Sequence, residues 1–391
     1  MSNTLGLSKH RNLKHRNVKC TSFKRMSLKH SLKTVLACLL PVMGVLPLSS
    51  VAHANVEVPD TLTWTVPFGV GGGTDVWARF MSNWVTQDLP GQPTVVIDNV
   101  PGGGSITGVN LFSKRADADG DEMIVTSAST QYPAMLRDRR VRYHYADWEL
   151  ILAAPTGGVV YASSSLGQDS DSVLKKLASE EVKFAGQTPT GLEMPVLMAF
   201  DMLGFKISPV FGMKSRGEGR LAFERGEVAL DFQTTSAYKS NVTPLIEAGQ
   251  AVPLFSLGMM NEDGHIERDP SFPDLPTFSE LYLAQSGHSR NDEAYQIFHK
   301  FFASGYAMQK MLLVPKDVDP QLLEQYRQAA RTLADDPAFL KEAEQKIGPY
   351  KLMVGQKAAA HLQSAMQLSE TQHEWVKQWL MERHHIRLQS R

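Results

Sequence analysis

From residue 62 onward the chain alternates between short apolar runs and longer stretches with helical spacing. Residues 62–66 (L-T-W-T-V) are rich in strand formers and lead through Pro67 and Phe68 into a run of glycines. Over 74–87, Val76, Phe80 and Trp84 recur every four residues, which predicts a helix with one buried face. A second strand is predicted at 94–98, a second helix at 105–115 and a third strand at 123–126. A similar set follows: strand at 159–161, helix at 170–178, strand at 182–185, helix at 192–203 and a strand within 227–232. Beyond Phe272 the pattern turns helical. Asp319 is a good N-cap with Pro320 at the first helical position, ahead of an apolar stripe of Leu322, Leu323, Tyr326, Ala330 and Leu333. Further helices are predicted at 337–347 and 355–380. Strand–helix–strand units of this spacing imply parallel sheets with right-handed crossovers. The simplest architecture is two α/β lobes, each a mostly parallel sheet flanked by helices, with a cleft between them.

The first 54 residues break this pattern. They hold no Asp or Glu and nine basic residues, then an apolar stretch from Val35 to about Leu48 that Pro41 and Pro47 interrupt. A membrane span needs about 20 apolar residues, which this stretch lacks. It closes on S-S-V-A-H-A, with small residues at Ala52 and Ala54. A basic region, an apolar region and an A-x-A site predict an export signal, cleaved after Ala54. A nucleic-acid-binding basic arm, an uncleaved anchor and a lipoprotein signal at Cys38 are the weaker alternatives.

Charge changes the picture once the leader is set apart. The whole chain of 391 residues has 40 basic and 41 acidic side chains, which excludes a polybasic nucleic-acid binder. Without residues 1–54 the count is 31 basic against 41 acidic, a net charge of −10. Both cysteines, Cys20 and Cys38, lie in the leader, so the mature chain is expected to have no thiol, disulfide or cysteine metal site. An acidic exported chain with no further long apolar run is expected in a bacterial periplasm, without nucleic-acid partners.

The candidate chemistry sits in loops. Residues 67–79 (P-F-G-V-G-G-G-T-D-V-W-A-R) run from a strand through glycines into a helix start. Glycines let backbone N–H groups approach a ligand, and a helix start carries partial positive charge, so this is a ready anion site for phosphate or carboxylate. It is neither G-x-G-x-x-G nor a Walker loop. An ordinary tight turn capped by Thr74 or Asp75 is the plain alternative. Four more polar or glycine-rich segments follow predicted strands, at 101–108, 126–131, 185–191 and 231–236. In open α/β sheets ligands bind at that edge. No G-x-S-x-G or H-E-x-x-H occurs, and His384-His385 reads as a solvated helix face. No catalytic residue, metal ligand or cofactor is expected.

With these residues in place, the chain resembles the Bug (TctC-like) substrate-binding proteins of tripartite tricarboxylate transporters. Residues 66–79 look like that family's V-P-F-x-x-G-G-x-T-D-x-x-A-R, and 95–105 (V-V-I-D-N-V-P-G-G-G-S) like its V-V-V-E-N-x-P-G-A-G-G. Asp119-Gly120 with Thr126-Ser127, and later 272–280 (F-P-D-L-P-T-F-S-E), match further motifs. Phe211 stands where the family has tyrosine, and 295–303 replaces a glycine- and proline-rich stretch. The resemblance implies a two-lobed periplasmic binding protein of the type II kind, probed as residues 55–155 for the first part of lobe 1, 156–270 for lobe 2 and 271–391 for the completion of lobe 1 and the C-terminal helices. It implies a monomeric receptor, not an enzyme, that captures a di- or tricarboxylate or related anion for the membrane subunits of the transporter. Carried over residue by residue, the ligand contacts are Phe68, Gly71, Gly72, Gly73, Thr74 and Asp75; Ser127, Ser129 and Thr130; Gln187, Thr188, Thr190 and Gly191; and Asp231. A co-receptor presenting its ligand to a sensor kinase would share this sequence, and a periplasmic enzyme is the more distant alternative.

Overall fold

The computed structural model describes residues 56–261 and 263–390. The predicted leader, its cleavage site and both cysteines lie outside the described residues. In chain order the first lobe begins with β1 (Thr61–Val66), α1 (Gly73–Val85), β2 (Thr94–Asn99), α2 (Ile106–Arg115), β3 (Glu122–Ser127), α3 (Ala128–Met135) and β4 (Trp148–Ala154). The second lobe follows with β5 (Gly158–Ser163), α4 (Ser170–Ser179), β6 (Val182–Ala185), α5 (Met194–Met202), β7 (Ile207–Val210), α6 (Arg216–Glu224), β8 (Leu230–Thr234), α7 (Thr235–Asn241), α8 (Thr243–Glu247) and β9 (Ala251–Ser256). A small hairpin, β10 (Met259–Met260) and β11 (Ile266–Glu267), precedes α9 (Phe278–Leu283) and α10 (Glu293–Phe302). Last come β12 (Lys310–Pro315), α11 (Pro320–Ala334), α12 (Pro337–Lys346), β13 (Met353–Val354), α13 (Gly355–Ala365) and α14 (Glu370–His384).

Two sheets form, one of order β13-β4-β12-β3-β1-β2 and one of order β7-β6-β8-β5-β9. The pairs joined by helical crossovers are parallel: β1 with β2 and β3, and β6 with β7 and β8. The rest are antiparallel, so each sheet is mixed. The reason is chain routing. β4 leads out of the first sheet into β5, and β12 re-enters the first sheet between β3 and β4; β12 runs against both of its neighbours, as β5 does against β8 and β9, so the reversed strand in each sheet is the one at which the chain enters from the other lobe. On the return the chain re-enters the first sheet at β12.

Apolar burial holds both layers. Leu62, Trp64 and Val66 alternate onto the first core with no exposure, each worth about 1.5–3 kcal/mol of transfer free energy. The second core does not stop at the second sheet. It takes in Ala128, Tyr132 and Met135 of α3, Phe298, Phe301 and Phe302 of α10, and Val376, Trp379 and Leu380 of α14. The lobes therefore share a packed back wall. The predicted helix over 355–380 is two helices, because Ser369 caps the second by accepting from Gln372 N–H in a reciprocal capping box. His384 is not solvated: it packs edge-on against Trp379 and lies 3.5 Å from Asp201.

Candidate functional site

The carboxyl ends of β1, β2 and β3 sit side by side, and each feeds a helix start. Gly71 takes a positive φ of 77°, which turns the loop toward α1 at little steric cost. No side chain caps α1, whose N-cap is Gly72. The first N–H groups of a helix have no internal partner, so those of Gly73 and Thr74 are available donors at the positive end of its dipole. Gly71, Gly72 and Gly73 are exposed, while Thr74 is buried.

Asp75 has a different task from the one the motif suggested. It is 1% exposed. Its carboxylate accepts from Gly71 N–H at 2.8 Å, Asn99 Nδ2 at 2.9 Å and Arg79 Nε at 3.0 Å. Asn99 also donates to the Phe68 carbonyl, at 3.0 Å. Burial raises the Asp75 pKa, but the bonds from Arg79, Gly71 and Asn99 outweigh it and leave the pKa below the ordinary value. Asp75 thus ties the glycine loop to β2 from inside. Phe68 is half-buried and packs against the first core.

The second glycine run holds a left-handed conformation through Gly103 and Gly104 and into Ser105, whose φ is 90°. A serine there is strained, and such strain gathers at sites where the surroundings over-determine the backbone. Ser105 Oγ donates to the Ser129 carbonyl at 3.2 Å and accepts from Thr130 Oγ1 at 3.1 Å. The starts of α2 and α3 are thereby joined. Ser127 is the N-cap of α3 and makes no side-chain capping bond.

Lys310 completes this edge, and no sequence motif pointed to it. It opens β12, opposite Ser127 on β3 and Ala154 on β4. Its Nζ donates to Thr74 Oγ1 at 2.8 Å. Among the described residues no carboxylate forms an ion pair with it. Burial, aided by the positive charge of Arg216, pushes its pKa down to about 7. The only sequence signal was a lone lysine at the head of an apolar strand.

The second lobe presents 186–193 and the start of α6. Gln187, Thr188 and Thr190 are half-buried and Gly191 is buried. A Cβ at Gly191 would lie 2.8 Å from Thr188 Cγ2 and 2.9 Å from Glu193 Oε2, so only glycine fits. Glu193, 2% exposed, pairs with Arg216 at 2.7 Å and accepts from Gln187 N–H at 3.4 Å. Neither Glu193 nor Arg216 was singled out from sequence. Asp231 lies deeper. It is 2% exposed and accepts from Tyr161 Oη and, at 2.9 Å, from Gln233 Nε2. Gln233 Nε2 also donates to the Arg216 carbonyl, at 2.8 Å. Burial pushes the Asp231 pKa up to about 6, against the pull of those bonds. Its partners all belong to its own lobe.

The two lobes meet at two chain crossings bound together: Thr156 N–H donates to the Tyr306 carbonyl at 2.9 Å. Nearby, Tyr350 Oη donates to Asp269 Oδ2 at 2.8 Å, and Gly157 sits against that pair where a Cβ would come within 1.8 Å of the carboxylate. Away from this edge, a groove of about 490 Å³ includes His265, Arg290, His299, Lys300 and His361 among its lining residues. None of the five predicted loops reaches it. Among the described residues no group of three or more His, Cys, Asp or Glu is placed to hold a metal ion, and no helix is long and apolar enough to cross a membrane.

No protein-family model matches the chain. Among curated proteins it is similar to a UPF0065 protein of the tcbD–tcbE intergenic region from Pseudomonas sp. strain P51, 25% identical over 223 residues, which is 56% of this chain and 62% of that protein, less than two thirds of its length. It is also similar to BugT of Bordetella pertussis, 25% identical over 299 residues, 73% of this chain and 81% of that protein. Among solved structures it is similar to the periplasmic binding protein BugD, at 19% identity and TM-score 0.57, covering 82% of this chain and 97% of that one. It is likewise similar to Rpa4515 of R. palustris, solved with adipate, at 18% identity and TM-score 0.59, covering 83% and 97%. The structural likenesses show the two-lobed fold.

Proposed function

We propose that this chain, a Bug/TctC-type periplasmic binding protein by sequence likeness and fold, captures a small organic anion between its lobes and delivers it to the membrane subunits of a tripartite tricarboxylate-type transporter. The observation that carries this reading is the uncapped start of α1 beside the Lys310 amino group, which among the described residues bonds to Thr74 and forms no ion pair. Helix-end N–H groups and Lys310 neutralise an oxyanion locally, which an acidic protein needs because its overall charge repels anions. The adipate held by Rpa4515 supports a carboxylate as the ligand class. We place Gly71, Gly72, Gly73, Thr74, Ser127, Ser129 and Thr130 on the capturing side. Gln187, Thr188, Thr190 and Gly191 close from the other.

In this reading the open cleft admits the anion and closure about the crossings near Thr156 and Tyr306 encloses it, shaping the surface that the membrane partner reads. The back wall shared by α3, α10 and α14 confines the motion to the loop side. Binding rather than turnover is supported by the hydroxyls of the cleft. Those of Ser105 and Thr130 bond to each other and to backbone, and among the described residues no histidine hydrogen-bonds a serine or threonine hydroxyl. Export to the periplasm follows from the leader's composition.

A thermal-shift screen of the purified protein with mono-, di- and tricarboxylates tests the proposal, since a ligand of the native state raises stability by mass action. A shift with at least one carboxylate is expected. No shift with any, alongside a shift with a neutral solute, would sink the organic-anion reading.

A further inference from the structure

We propose that Lys310 is the direct charge partner of the ligand's carboxylate, and that loading the cleft draws a proton from solvent onto this side chain. The inference rests on the anion-binding reading above and adds to it the residue that selects charge and the pH response of the site.

Geometry carries it. Lys310 stands at the first position of β12, the strand that re-enters the first sheet between β3 and β4. Its register with Ser127 and Ala154 fixes it at the carboxyl ends of those strands, where the cleft begins and the chain crosses between lobes. The bond to Thr74 Oγ1 aims the ammonium at the uncapped start of α1. An oxyanion placed there meets the helix-end N–H groups and Nζ together. Thr74 is a neutral acceptor, so the ammonium lacks the partner that a half-buried charge requires.

Among the described residues, the charged and titratable groups on the surrounding elements have partners other than Lys310. On α1, Asp75 is committed to Arg79, Gly71 and Asn99. On α3, the Tyr132 hydroxyl donates to the Phe301 carbonyl at 2.7 Å. In the π-helical turn Ala303–Ala307, Tyr306 donates to the Leu192 carbonyl at 2.7 Å. From the second lobe, Arg216 is paired with Glu193. What acts on Lys310 is burial first, then repulsion by Arg216, and both favour the neutral amine; its pKa near 7 follows. An arriving carboxylate reverses this balance by favouring the ammonium. The amine that was neutral before binding then takes up a proton. Near neutral pH the uptake is fractional, because part of the population is already charged before the ligand arrives.

The test is calorimetric titration of the full protein with adipate, malate and citrate at pH 7, in HEPES and in Tris, whose ionisation heats differ. The wild type is expected to show fractional proton uptake and an affinity that weakens as pH rises from 7 to 9. Lys310→Met should lose at least about 100-fold in affinity and all of the uptake, while melting at a higher temperature without ligand, because a lysine held below its unfolded pKa costs stability at neutral pH. Lys310→Arg should keep most of the affinity but show no uptake, since a guanidinium stays charged. A Met variant that binds within threefold of the wild type, or an Arg variant with unchanged uptake, overturns the assignment and leaves the anion-binding reading standing. A wild type with no binding heat for any of the three acids, and no thermal shift with any carboxylate, overturns both.

Discussion

The two lobes build their sides of the cleft by opposite means. The first leaves donors unsatisfied: exposed glycines, an uncapped helix start and an ammonium facing only a hydroxyl. The second satisfies its own: Arg216 pairs with Glu193, Glu193 receives Gln187 N–H, and Gln233 bridges Arg216 to Asp231. Two buried aspartates sharpen the contrast. Asp75 is surrounded by donors and a guanidinium and is held below the ordinary carboxyl pKa; Asp231 has a phenol and an amide, and burial wins. In the proposed reading one side attracts the anion, and the other need only close without adding repulsion.

The largest expected effect comes from closing the donor side. Gly72→Val puts a Cβ about 3.1 Å from the Gly69 carbonyl and reshapes the start of α1. Carboxylate affinity should fall at least about 100-fold, roughly 3 kcal/mol, with an unchanged far-UV spectrum. Unchanged affinity would remove the loop from the site.

Asp75→Asn should loosen the same loop from inside. About a tenfold loss of affinity and about 1–3 kcal/mol of stability are expected at pH 7 from urea unfolding. The sign with pH follows from its lowered pKa: the contribution is complete above the unfolded carboxyl range and is lost as pH falls below that range through the lower folded-state pKa. A variant as stable as the wild type at pH 7 would show that the clamp does not hold the loop.

Asp231→Asn should act in the opposite sense. A folded-state pKa of about 6 against 3.8 means that the native protein holds a proton which the unfolded chain has released. Wild-type stability therefore declines as pH rises from about 4 to about 6. The asparagine variant should flatten that decline and be about 1–3 kcal/mol more stable at pH 7, with affinity within twofold of wild type. A large loss of affinity would instead restore Asp231 as a ligand contact.

The smallest effect is expected at Glu193→Gln, which frees Arg216 from its ion pair. Anion affinity should rise about threefold at low salt, measured by calorimetry. A fall would mean that the pair shapes the 186–193 loop more than it neutralises charge.

The elements of both sheets were legible because alternation and helical spacing are local, and α1, α2 and α11 begin within a residue of their predicted starts. The break before α14 was missed because Ser369 and Gln372 form a capping box inside a continuously helical pattern. The glycine loop was legible as a strand-to-helix turn with exposed backbone because its parts are contiguous. The role of Asp75 was not, since Asn99 and Arg79 surround it only once β2 lies beside α1.

The sequence by itself determined where the donors are: glycines and small hydroxyls at the ends of strands, with helix starts behind them. It also shows that residues 55–391 carry 31 basic against 41 acidic side chains, so that the proposed anion capture has to be local. Only the tertiary structure decided which charges remain unpaired. Lys310 and Thr74 are 236 residues apart, and sheet order alone brings them to 2.8 Å. The net interaction of a buried charge depends on what lies within a few ångströms of it, and that neighbourhood is a property of the fold.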